Sequence, residues 1–409
     1  MARIVAALRS GTRVTDHISL GVLTKFIPAA EITSILERLH RSSERNRDLP
    51  AQVVVYYVVA LALFMGVSCG EVLRAVLEGL TWLKASAGET PLKLAGASAI
   101  SQARTRLGAD VVRCLHDTVV VPVATPQTPG AFYHAWKIVS IDGSTMAVTD
   151  TSGNAEVFGR PGASRGKSAF PHVRFVSLVE NGTHVLFGTQ MGAYHTGEVT
   201  LAAKVLEQLR PGMLCLADRN FFSSTRWNEA RATGADLLWR VKVKIRLPVQ
   251  QRLPDGSYLS TIYPSEKARR ARTQGVVVRV IEYRLEGVPD ADPLYRLITT
   301  IMDPSRAPAH ELAALYPERW EIESALDELK THLRGGARIV LRSKTPELVR
   351  QEFYGLLLAH YAVRALMHEA AQKVGTDPDH LSFVHAVRVV KRKLPWMVVT
   401  PPSEVEEDA

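Results

Sequence analysis

A carboxylate flanked by cations lies in the window from Tyr316 to Lys330. Arg319, Glu323 and Lys330 are spaced at i, i+4 and i+11, so on a regular helix they fall within about 40° of one another. Tyr316 lies within about 60° of the same line, beside a separate apolar stripe. A carboxylate between cations on a packed helix suits a metal ligand that acts on phosphate. A surface helix with ordinary ion pairs is the alternative for this window alone.

Two further carboxylates end short apolar runs. Asp142 ends the run 137–141 and is followed by glycine and hydroxyl residues, and Asp218 ends the run 213–217. A strand fixes the backbone while its last side chain reaches the sheet edge, so both positions suit chemistry. Either aspartate alone is also typical of a turn or a helix cap. Three such carboxylates in one chain, with Glu323 as the third, are a much rarer coincidence.

With these residues identified, the sequence resembles the DDE transposases of bacterial insertion sequences. It is similar to the insertion-sequence-four-like branch, which has the signature Tyr-(2)-Arg-(3)-Glu-(6)-Lys. The signature residues are Tyr316, Arg319, Glu323 and Lys330. Asp142 and Asp218 match the first and second acidic motifs of that family, and the resemblance covers roughly residues 15–375.

The resemblance implies a transposase that binds the terminal inverted repeats of an insertion sequence as a homodimer. It implies metal-dependent DNA cleavage, with a hairpin intermediate, followed by strand transfer into double-stranded target DNA. Two other classes of function stay open. One is a catalytically idle DNA-binding protein derived from a transposase, against which the intact acidic trio argues. The other is a ribonuclease H-like nuclease that cleaves without strand transfer.

Three acids are enough to hold a pair of divalent ions, which relieve the charge repulsion that protects a phosphodiester. We expect two Mg²⁺ ions, for which Mn²⁺ can substitute. Asp142 would bridge both ions, and Asp218 and Glu323 would each hold one. Because close carboxylates repel one another, the site should hold metal poorly until DNA adds its phosphates.

The remaining signature residues are expected to contact DNA. Arg319 and Lys330 would contact phosphates beside the scissile bond, and Tyr316 would donate a hydrogen bond to phosphate. A base flipped out during the hairpin step needs an aromatic partner. The candidates are Trp320, Tyr295 and Trp239. Trp320 is favoured because it lies beside the charged line, away from the apolar face, while core packing is the alternative for each.

Composition favours an ordinary globular protein with a polyanionic partner. The chain has 409 residues, 46% hydrophobic residues, a net charge of +9 and a sequence pI of about 9.5. Cys69, Cys114 and Cys215 are isolated, which favours a reducing compartment over a zinc site. The start lacks a long apolar core and the uncharged stretch 53–70 is predicted to be a buried helix, so we expect no membrane partner. The expected location is the bacterial cytoplasm, associated with the nucleoid.

The predicted fold class is α/β, a ribonuclease H-like core with a basic β-strand insertion between helical ends. The predicted domains are a helical DNA-binding domain (1–125), the catalytic core (126–239 and 296–345), the basic β insertion (240–295) and a helical C-terminal region (346–400). Predicted strands are 136–148, 173–180, 185–191 and 214–217. In this layout Asp142 and Asp218 come from adjacent central strands. One long helix that begins at Ala309 would carry Glu323, although Pro317 disfavours helical geometry at Tyr316.

Two regions are candidates for DNA binding. The predicted helix 99–107 carries Arg104 and Arg106, residue types that face DNA in helix-turn-helix units. The segment 240–284 holds eleven Lys or Arg residues against three acids, a net charge of +8. Its first residues, 240–247, alternate cations with apolar residues and predict a strand with one basic face. The candidate phosphate contacts are Arg240, Lys242, Lys244, Arg269 and Arg270. A solvated β edge protected by cations is the alternative.

Overall fold

The computed structural model describes residues 22–43, 49–86, 95–163, 166–285, 292–336 and 339–393. Its helices are α1 (Val22–Phe26), α2 (Ala29–Arg38), α3 (Ala51–Leu63), α4 (Cys69–Ser86), α5 (Ala97–Leu107), α6 (Ala109–Val119), α7 (Ser152–Phe158), α8 (Glu198–Leu206), α9 (Ser224–Ala232), α10 (Glu266–Ala271), α11 (Ala309–Leu315), α12 (Glu321–Asp327), α13 (Pro346–Val374) and α14 (Phe383–Lys393). Shorter helical turns are the 3₁₀ turns Tyr316–Trp320 and Pro378–His380 and the π turn Glu328–Leu333.

The strands are β1 (Phe132–Tyr133), β2 (Trp136–Ala147), β3 (Gly162–Ala163), β4 (Gly166–Lys167), β5 (His172–Glu180), β6 (Val185–Ala193), β7 (Met213–Ala217), β8 (Asp236–Arg240), β9 (Gln251–Arg252), β10 (Tyr258–Ile262), β11 (Val276–Tyr283) and β12 (Tyr295–Thr299). The strands predicted at 136–148, 173–180, 185–191 and 214–217 are confirmed as β2, β5, β6 and β7.

By compactness the described residues fall into two units. The first lies within Met1–Val123, Met146–His172 and Asp327–Ala409, and the second comprises Ala124–Thr145 and Val173–Leu326. The first unit holds most of the helices, and the second holds the large sheet. The domain boundaries inferred from the sequence stay predictions.

Ten strands of the described chain form one mixed sheet. Its order is β6-β5-β2-β7-β8-β12-β11-β10-β9, with β1 paired to β2. The central strands β2, β7 and β8 run parallel, because α8 and α9 provide the crossovers between them. The strands β9 to β12 continue the same sheet with antiparallel pairing. The predicted β insertion therefore extends the central sheet.

An apolar cluster packs one face of this sheet in the second unit. It is built from side chains of β2, β7, β8, β11 and β12, together with α11 and the 3₁₀ turn after it. Leu214, Leu216 and Leu238 are fully buried there, as apolar runs on central parallel strands require. The same cluster includes Tyr316, which therefore lies under the sheet.

The first unit is built around the 29-residue helix α13, which packs against α3 and α6. Gly355 of α13 permits close approach to α3, since a Cβ atom there would lie 2.8 Å from Val58 Cγ1 and 2.9 Å from the Val58 carbonyl oxygen. All residues of α3 from Val53 to Leu63 are buried, so the predicted buried helix over 53–70 is confirmed for 53–63, whereas α3 ends at Leu63 and residues 66–68 are exposed. Of the helices that the structure describes, none is both long and apolar enough to cross a bilayer.

The predicted long helix that begins at Ala309 is wrong as a single element. The chain forms α11, the 3₁₀ turn, α12 and the π turn in succession. Pro317 lies at the start of the 3₁₀ turn, where its missing N–H and its ring disfavour an α-helix. In the π turn, the Arg334 N–H bonds to the Leu329 carbonyl oxygen at 3.2 Å. The spacing of 100° per residue therefore applies only within α12, and the predicted line of four side chains is not a helical stripe.

The predicted basic strand over 240–247 is also wrong. Strand β8 ends at Arg240, and residues 241–250 form turns and irregular structure. Val241 and Leu247 are buried while Lys242 and Lys244 are exposed. The Ile245 N–H bonds to the Lys242 carbonyl oxygen at 2.9 Å, which closes a turn, and Val243 is 49% exposed, so the alternation in the sequence does not form a pleated strand.

Candidate active site

The two aspartates lie side by side on neighbouring strands of the central sheet, although Asp142 lies within β2, which continues to Ala147, and not at a strand end as expected. Strands β2 and β7 pair in parallel with Ile141 opposite Ala217, so the following residues, Asp142 and Asp218, occupy matching positions. Neighbouring strands are about 4.8 Å apart, and side chains at matching positions point to the same face. Both aspartates are half-buried. The prediction that adjacent central strands supply them is confirmed.

The third carboxylate shares a guanidinium group with the first. Arg319 Nη1 lies 3.8 Å from Asp142 Oδ2, and Arg319 Nη2 lies 3.4 Å from Glu323 Oε1. The Arg319 side chain is 7% exposed, whereas the Glu323 side chain is 45% exposed. One buried cation thus holds two carboxylates that are far apart in the sequence, and Asp142 is the common neighbour of Asp218 and Glu323.

Burial raises the pKa of Asp142 to about 6. The Gly143 N–H, which donates to Asp142 Oδ1 at 2.7 Å, and the Arg319 guanidinium both lower this pKa, while the carboxylates of Glu198 and Glu323 raise it. The Asp142 carboxylate is therefore destabilised in its charged form. A cation placed beside it would relieve this cost.

A polar chain of three residues connects the strand of Asp142 to the segment of Glu323. Ser140 on β2 donates to Asn181 Oδ1 at 2.9 Å, and Asn181 Nδ2 donates to the Glu318 carbonyl oxygen at 2.7 Å. One turn later, Glu321 Oε2 accepts a hydrogen bond from the Gly182 N–H at 2.5 Å. These contacts position the start of α12 against the β5–β6 turn. Sequence reasoning missed all of these positioning residues, because no spacing signal links them.

The donor set suits a hard divalent cation, because all three groups are carboxylates. Among the described residues, the oxygen atoms of Asp142, Asp218 and Glu323 are not all within 4.8 Å of one another. That spread fits acids that hold separate ions better than ligands of a single ion. Each carboxylate is at least partly accessible, so a cation and a phosphate can reach it.

Comparison with known proteins gives the family. Residues 17–117 match the family model "Insertion element 4 transposase N-terminal", and residues 136–362 match "Transposase DDE domain". The transposase InsG of insertion sequence element IS4 from Escherichia coli (strain K12) is 30% identical over 366 residues, which cover 89% of this chain and 80% of that protein. The chain belongs to the IS4 family of DDE transposases. The predicted family is confirmed.

A solved structure of the piggyBac transposase, in a synaptic complex with hairpin DNA, also aligns with the chain. The alignment covers 98% of this chain and 87% of that one, at 10% sequence identity. Its TM-score is 0.48, which is too low to establish a shared fold.

Membership of the DDE transposase family establishes a DNA-cleaving enzyme that uses divalent metal ions, with DNA as its partner. It also agrees with the predicted α/β class, a ribonuclease H-like core with helical ends. The roles of individual side chains stay predictions. The geometry of the transposase nevertheless separates the predicted residues that meet near the acids from those that do not.

Tyr316 of the transposase lies at the back of the site. Its side chain is buried, and its hydroxyl donates to the Ala217 carbonyl oxygen at 3.3 Å. Burial raises its pKa above the ordinary value. The hydroxyl is directed to the backbone just before Asp218, and the hydrogen bond from Tyr316 to phosphate stays a prediction. In this structure Tyr316 supports the end of β7.

Lys330 belongs to the first unit, where it is half-buried in the π turn. This turn is bonded to α13 through Glu328, which accepts hydrogen bonds from Arg364 Nε at 2.8 Å and Nη2 at 2.5 Å. His360 Nε2 lies 3.3 Å from the same carboxylate. A mostly buried ion pair of this kind fixes the register of the turn that carries Lys330.

The prediction that Arg104 contacts DNA is wrong for this fold. Arg104 is 5% exposed, and its guanidinium donates to Gln351 Oε1 at 2.8 Å, to Ser343 Oγ at 3.0 Å and to the Leu348 carbonyl oxygen at 3.2 Å. It is a structural link between α5 and α13 within the first unit. Arg106, on the opposite face of α5, is exposed and lines a cavity of about 260 Å³.

The candidate cations of the insertion differ in how far they are already paired within the protein, and so in how available they are to bind DNA. Arg240 pairs with Asp292 and lies over the Tyr295 ring, 4.3 Å from its centroid, so it is largely committed within the protein. Arg269 pairs with Glu266 at 2.5 Å. The side chain of Arg270, by contrast, is 80% exposed, and its nearest carboxylate, also of Glu266, is 3.5 Å away. Lys242 and Lys244 are exposed as well.

The three candidate aromatics also divide clearly. Trp239 is fully buried, so it packs in the core and is not available to stack on a flipped base. Tyr295 stacks on Tyr283 with ring centroids 5.2 Å apart. Trp320 is 58% exposed, and the Arg319 guanidinium lies 4.7 Å from its ring centroid. The sequence preference for Trp320 therefore agrees with its exposure beside the acidic site.

Proposed function

We propose that this chain is the transposase of an insertion sequence, acting on the terminal inverted repeats of that element. The reaction comprises cleavage at the ends, a hairpin intermediate and transfer of the freed 3′-OH into double-stranded target DNA. The observation that carries the proposal is the arrangement of the three acids: Asp142 and Asp218 lie on neighbouring parallel strands, and the buried Arg319 guanidinium lies beside both Asp142 and Glu323.

A pair of Mg²⁺ ions, or Mn²⁺ in their place, would supply activation of the attacking oxygen and stabilisation of the leaving oxygen. Asp142 is the natural ligand to both ions, because it is the common neighbour of the other two acids. Asp218 and Glu323 then hold one ion each. DNA phosphates complete the ligand sets, which makes tight metal binding depend on substrate.

Arg319 changes partners in this proposal. Without cations it balances the charge of Asp142 and Glu323, and its Nε has no hydrogen-bond partner among the described residues. Asp142 and Glu323 would hold the cations, and the Arg319 guanidinium would then be available to donate to a phosphate oxygen beside the scissile bond. Trp320, next to it and exposed, is available to stack on a flipped base. Lys330 is assigned a phosphate contact from the sequence signature alone.

Two surfaces would bind DNA away from the acids. In the first unit, Arg106 lines its cavity together with His40 and Arg41, a basic and polar set suited to phosphate. In the insertion, Lys242, Lys244 and Arg270 are exposed cations on or beside the β extension of the sheet. A homodimer would pair the two ends of the element, and the location would be the bacterial cytoplasm at the nucleoid.

The direct test is excision from a supercoiled donor plasmid that carries the inverted repeats flanking this coding region, with Mg²⁺. Wild-type chain should release the element and join it to a second plasmid. Glu323→Gln should abolish nicking while binding of the ends stays within a few fold. Glu318→Gln is the matched control, because Glu318 is exposed five residues earlier and keeps its backbone contact.

Three outcomes would overturn the proposal. A wild-type chain that binds the ends and cleaves nothing is an idle DNA-binding protein. One that cleaves but never joins a 3′-OH to target DNA is a nuclease. Loss of end binding in Glu323→Gln would mean that this residue is structural.

A further inference from the structure

A fourth carboxylate lies beside Asp142. Glu198 is the first residue of α8, and its side chain packs against Gly143, the residue that follows Asp142 on β2. A Cβ atom built on Gly143 would lie 2.8 Å from Glu198 Cγ, 2.9 Å from Cδ and 3.1 Å from Oε1. The carboxyl group of Glu198 therefore occupies the space that any other side chain at position 143 would need.

The Glu198 carboxylate is held from its other side by a cation. Arg174 Nη1, on β5, lies 3.3 Å from Glu198 Oε1, and the same guanidinium lies 5.0 Å from the centroid of the Tyr194 ring. Arg174 Nε has no hydrogen-bond partner among the described residues. The Glu198 side chain remains 34% exposed, so it is accessible to a small ion.

The charges at this sheet edge do not balance. Three carboxylates, of Asp142, Glu323 and Glu198, lie beside the guanidinium groups of Arg319 and Arg174, and a fourth, of Asp218, follows the strand next to Asp142. The negative excess equals the charge of one divalent cation.

We propose that Glu198 is a fourth carboxylate of the divalent-cation site, next to Asp142, and that Gly143 is required because it leaves room for that side chain. Arg174 positions the carboxylate and balances part of its charge. This inference rests on the proposed function, because it adds a ligand to the same metal site.

The test is a titration of Mn²⁺ into the full-length chain without DNA, followed by electron paramagnetic resonance of the free ion. Glu198→Gln should weaken Mn²⁺ binding by about tenfold or more, in the range for groups that support a metal site. Glu207→Gln is the matched control, because Glu207 is exposed at the other end of α8. It should bind Mn²⁺ as wild type does.

A second comparison separates a ligand from a structural ion pair. Gly143→Ala should weaken Mn²⁺ binding in the wild-type background, because its Cβ displaces the Glu198 side chain. In the Glu198→Ala background the same change should have little further effect, since Cγ and the carboxyl group are gone. Equal losses in both backgrounds would mean that Gly143 acts through Asp142 alone, and would overturn the assignment.

Two other results would also overturn it. One is Glu198→Gln that binds Mn²⁺ like wild type but melts at a lower temperature, which would make the Arg174 pair purely structural. The other is a wild-type chain that binds no Mn²⁺ even at millimolar concentrations of the ion, where weak binding in the absence of DNA is still measured. Both readouts are independent of DNA, so they stay separate from a failure of the chain to excise or join DNA.

Discussion

The aspartates and the glutamate of the site are positioned by different means. Asp142 and Asp218 are fixed by backbone hydrogen bonds between two parallel strands, in a register that neighbouring side chains do not set. Glu323 lies on a short helix between two irregular turns, and side chains such as Arg319 and Asn181 position that segment. The strand pair is the rigid half of the site, and the helical segment is the adjustable half.

The largest expected effect is at the rigid half. Asp218→Asn should reduce cleavage of element ends by more than about 100-fold, because a direct metal ligand contributes more than the groups that support it. The backbone pairing of β7 is unaffected by this change, so the melting temperature should stay close to that of wild type. Single-turnover cleavage of the donor plasmid gives the rate. Cleavage within tenfold of wild type would remove Asp218 from the metal site.

Asp142→Asn tests how much the half-buried negative charge of Asp142, on the same strand pair, destabilises the folded chain. Because the folded-state pKa of Asp142 is raised to about 6, the folded chain binds more protons than the unfolded chain between the ordinary pKa and that value. Its charged form therefore lowers stability as pH rises toward 7. The metal-free variant should be more stable than wild type by about 1–3 kcal/mol at pH 7 to 8.

That stability gain should disappear below about pH 4, where Asp142 is protonated in both states of the wild-type chain. Urea unfolding at the two pH values measures the difference. A variant that is less stable than wild type at pH 7 would mean that the charged aspartate is stabilised, mainly by Arg319, and that burial is not the dominant influence.

Cleavage should also fall when the adjustable half loses a positioning contact, although no carboxylate is changed. Asn181→Ala removes the link between Ser140 and the Glu318 carbonyl oxygen, so cleavage should fall by about tenfold while end binding is unchanged. The unpaired polar groups should also cost about 1–3 kcal/mol of stability. Ser140→Ala breaks only one end of the link and should have a smaller effect. Equal effects on binding and cleavage would contradict a positioning role.

The smallest effect is expected for the cations of the basic insertion, which belong to neither half of the site. Lys242→Ala combined with Lys244→Ala should flatten the salt dependence of DNA affinity, by up to about 0.9 in log–log slope for each phosphate that these lysines neutralise. Lys204→Ala, an exposed lysine of α8, serves as the control. Affinities measured by fluorescence anisotropy at several salt concentrations give the slope. An unchanged slope would remove this turn from the DNA interface.

The rigid half could be predicted from the sequence because its signals are local. Each aspartate follows a short apolar run, and the chain returns through the intervening α8, so that β7 pairs in parallel with β2. The helical segment could be predicted only in part. Pro317 signals a break, but the π turn depends on Glu328 meeting Arg364 and His360, which lie more than thirty residues further along the chain.

The sequence also did not reveal which of the charged residues are buried. Arg104 and Arg106 look alike in the sequence, yet one faces α13 and the other faces solvent, and only the packing of that helix separates them. In the insertion, alternation at 240–247 resembles a strand, yet the chain forms a turn at 242–245 and leaves Val243 exposed. Glu198 carries no spacing signal at all, because the fold alone brings the start of α8 to the middle of β2.

The most direct test of the central claim, that three distant carboxylates hold the cations of this transposase, is a crystal structure with Mn²⁺ and end DNA. Anomalous difference peaks should lie within about 2.5 Å of carboxylate oxygens of Asp142, Asp218 and Glu323. Asp142 should contact both ions if two are present. Peaks bound elsewhere, or a Glu323 carboxylate that remains remote from any ion in the DNA complex, would contradict the account.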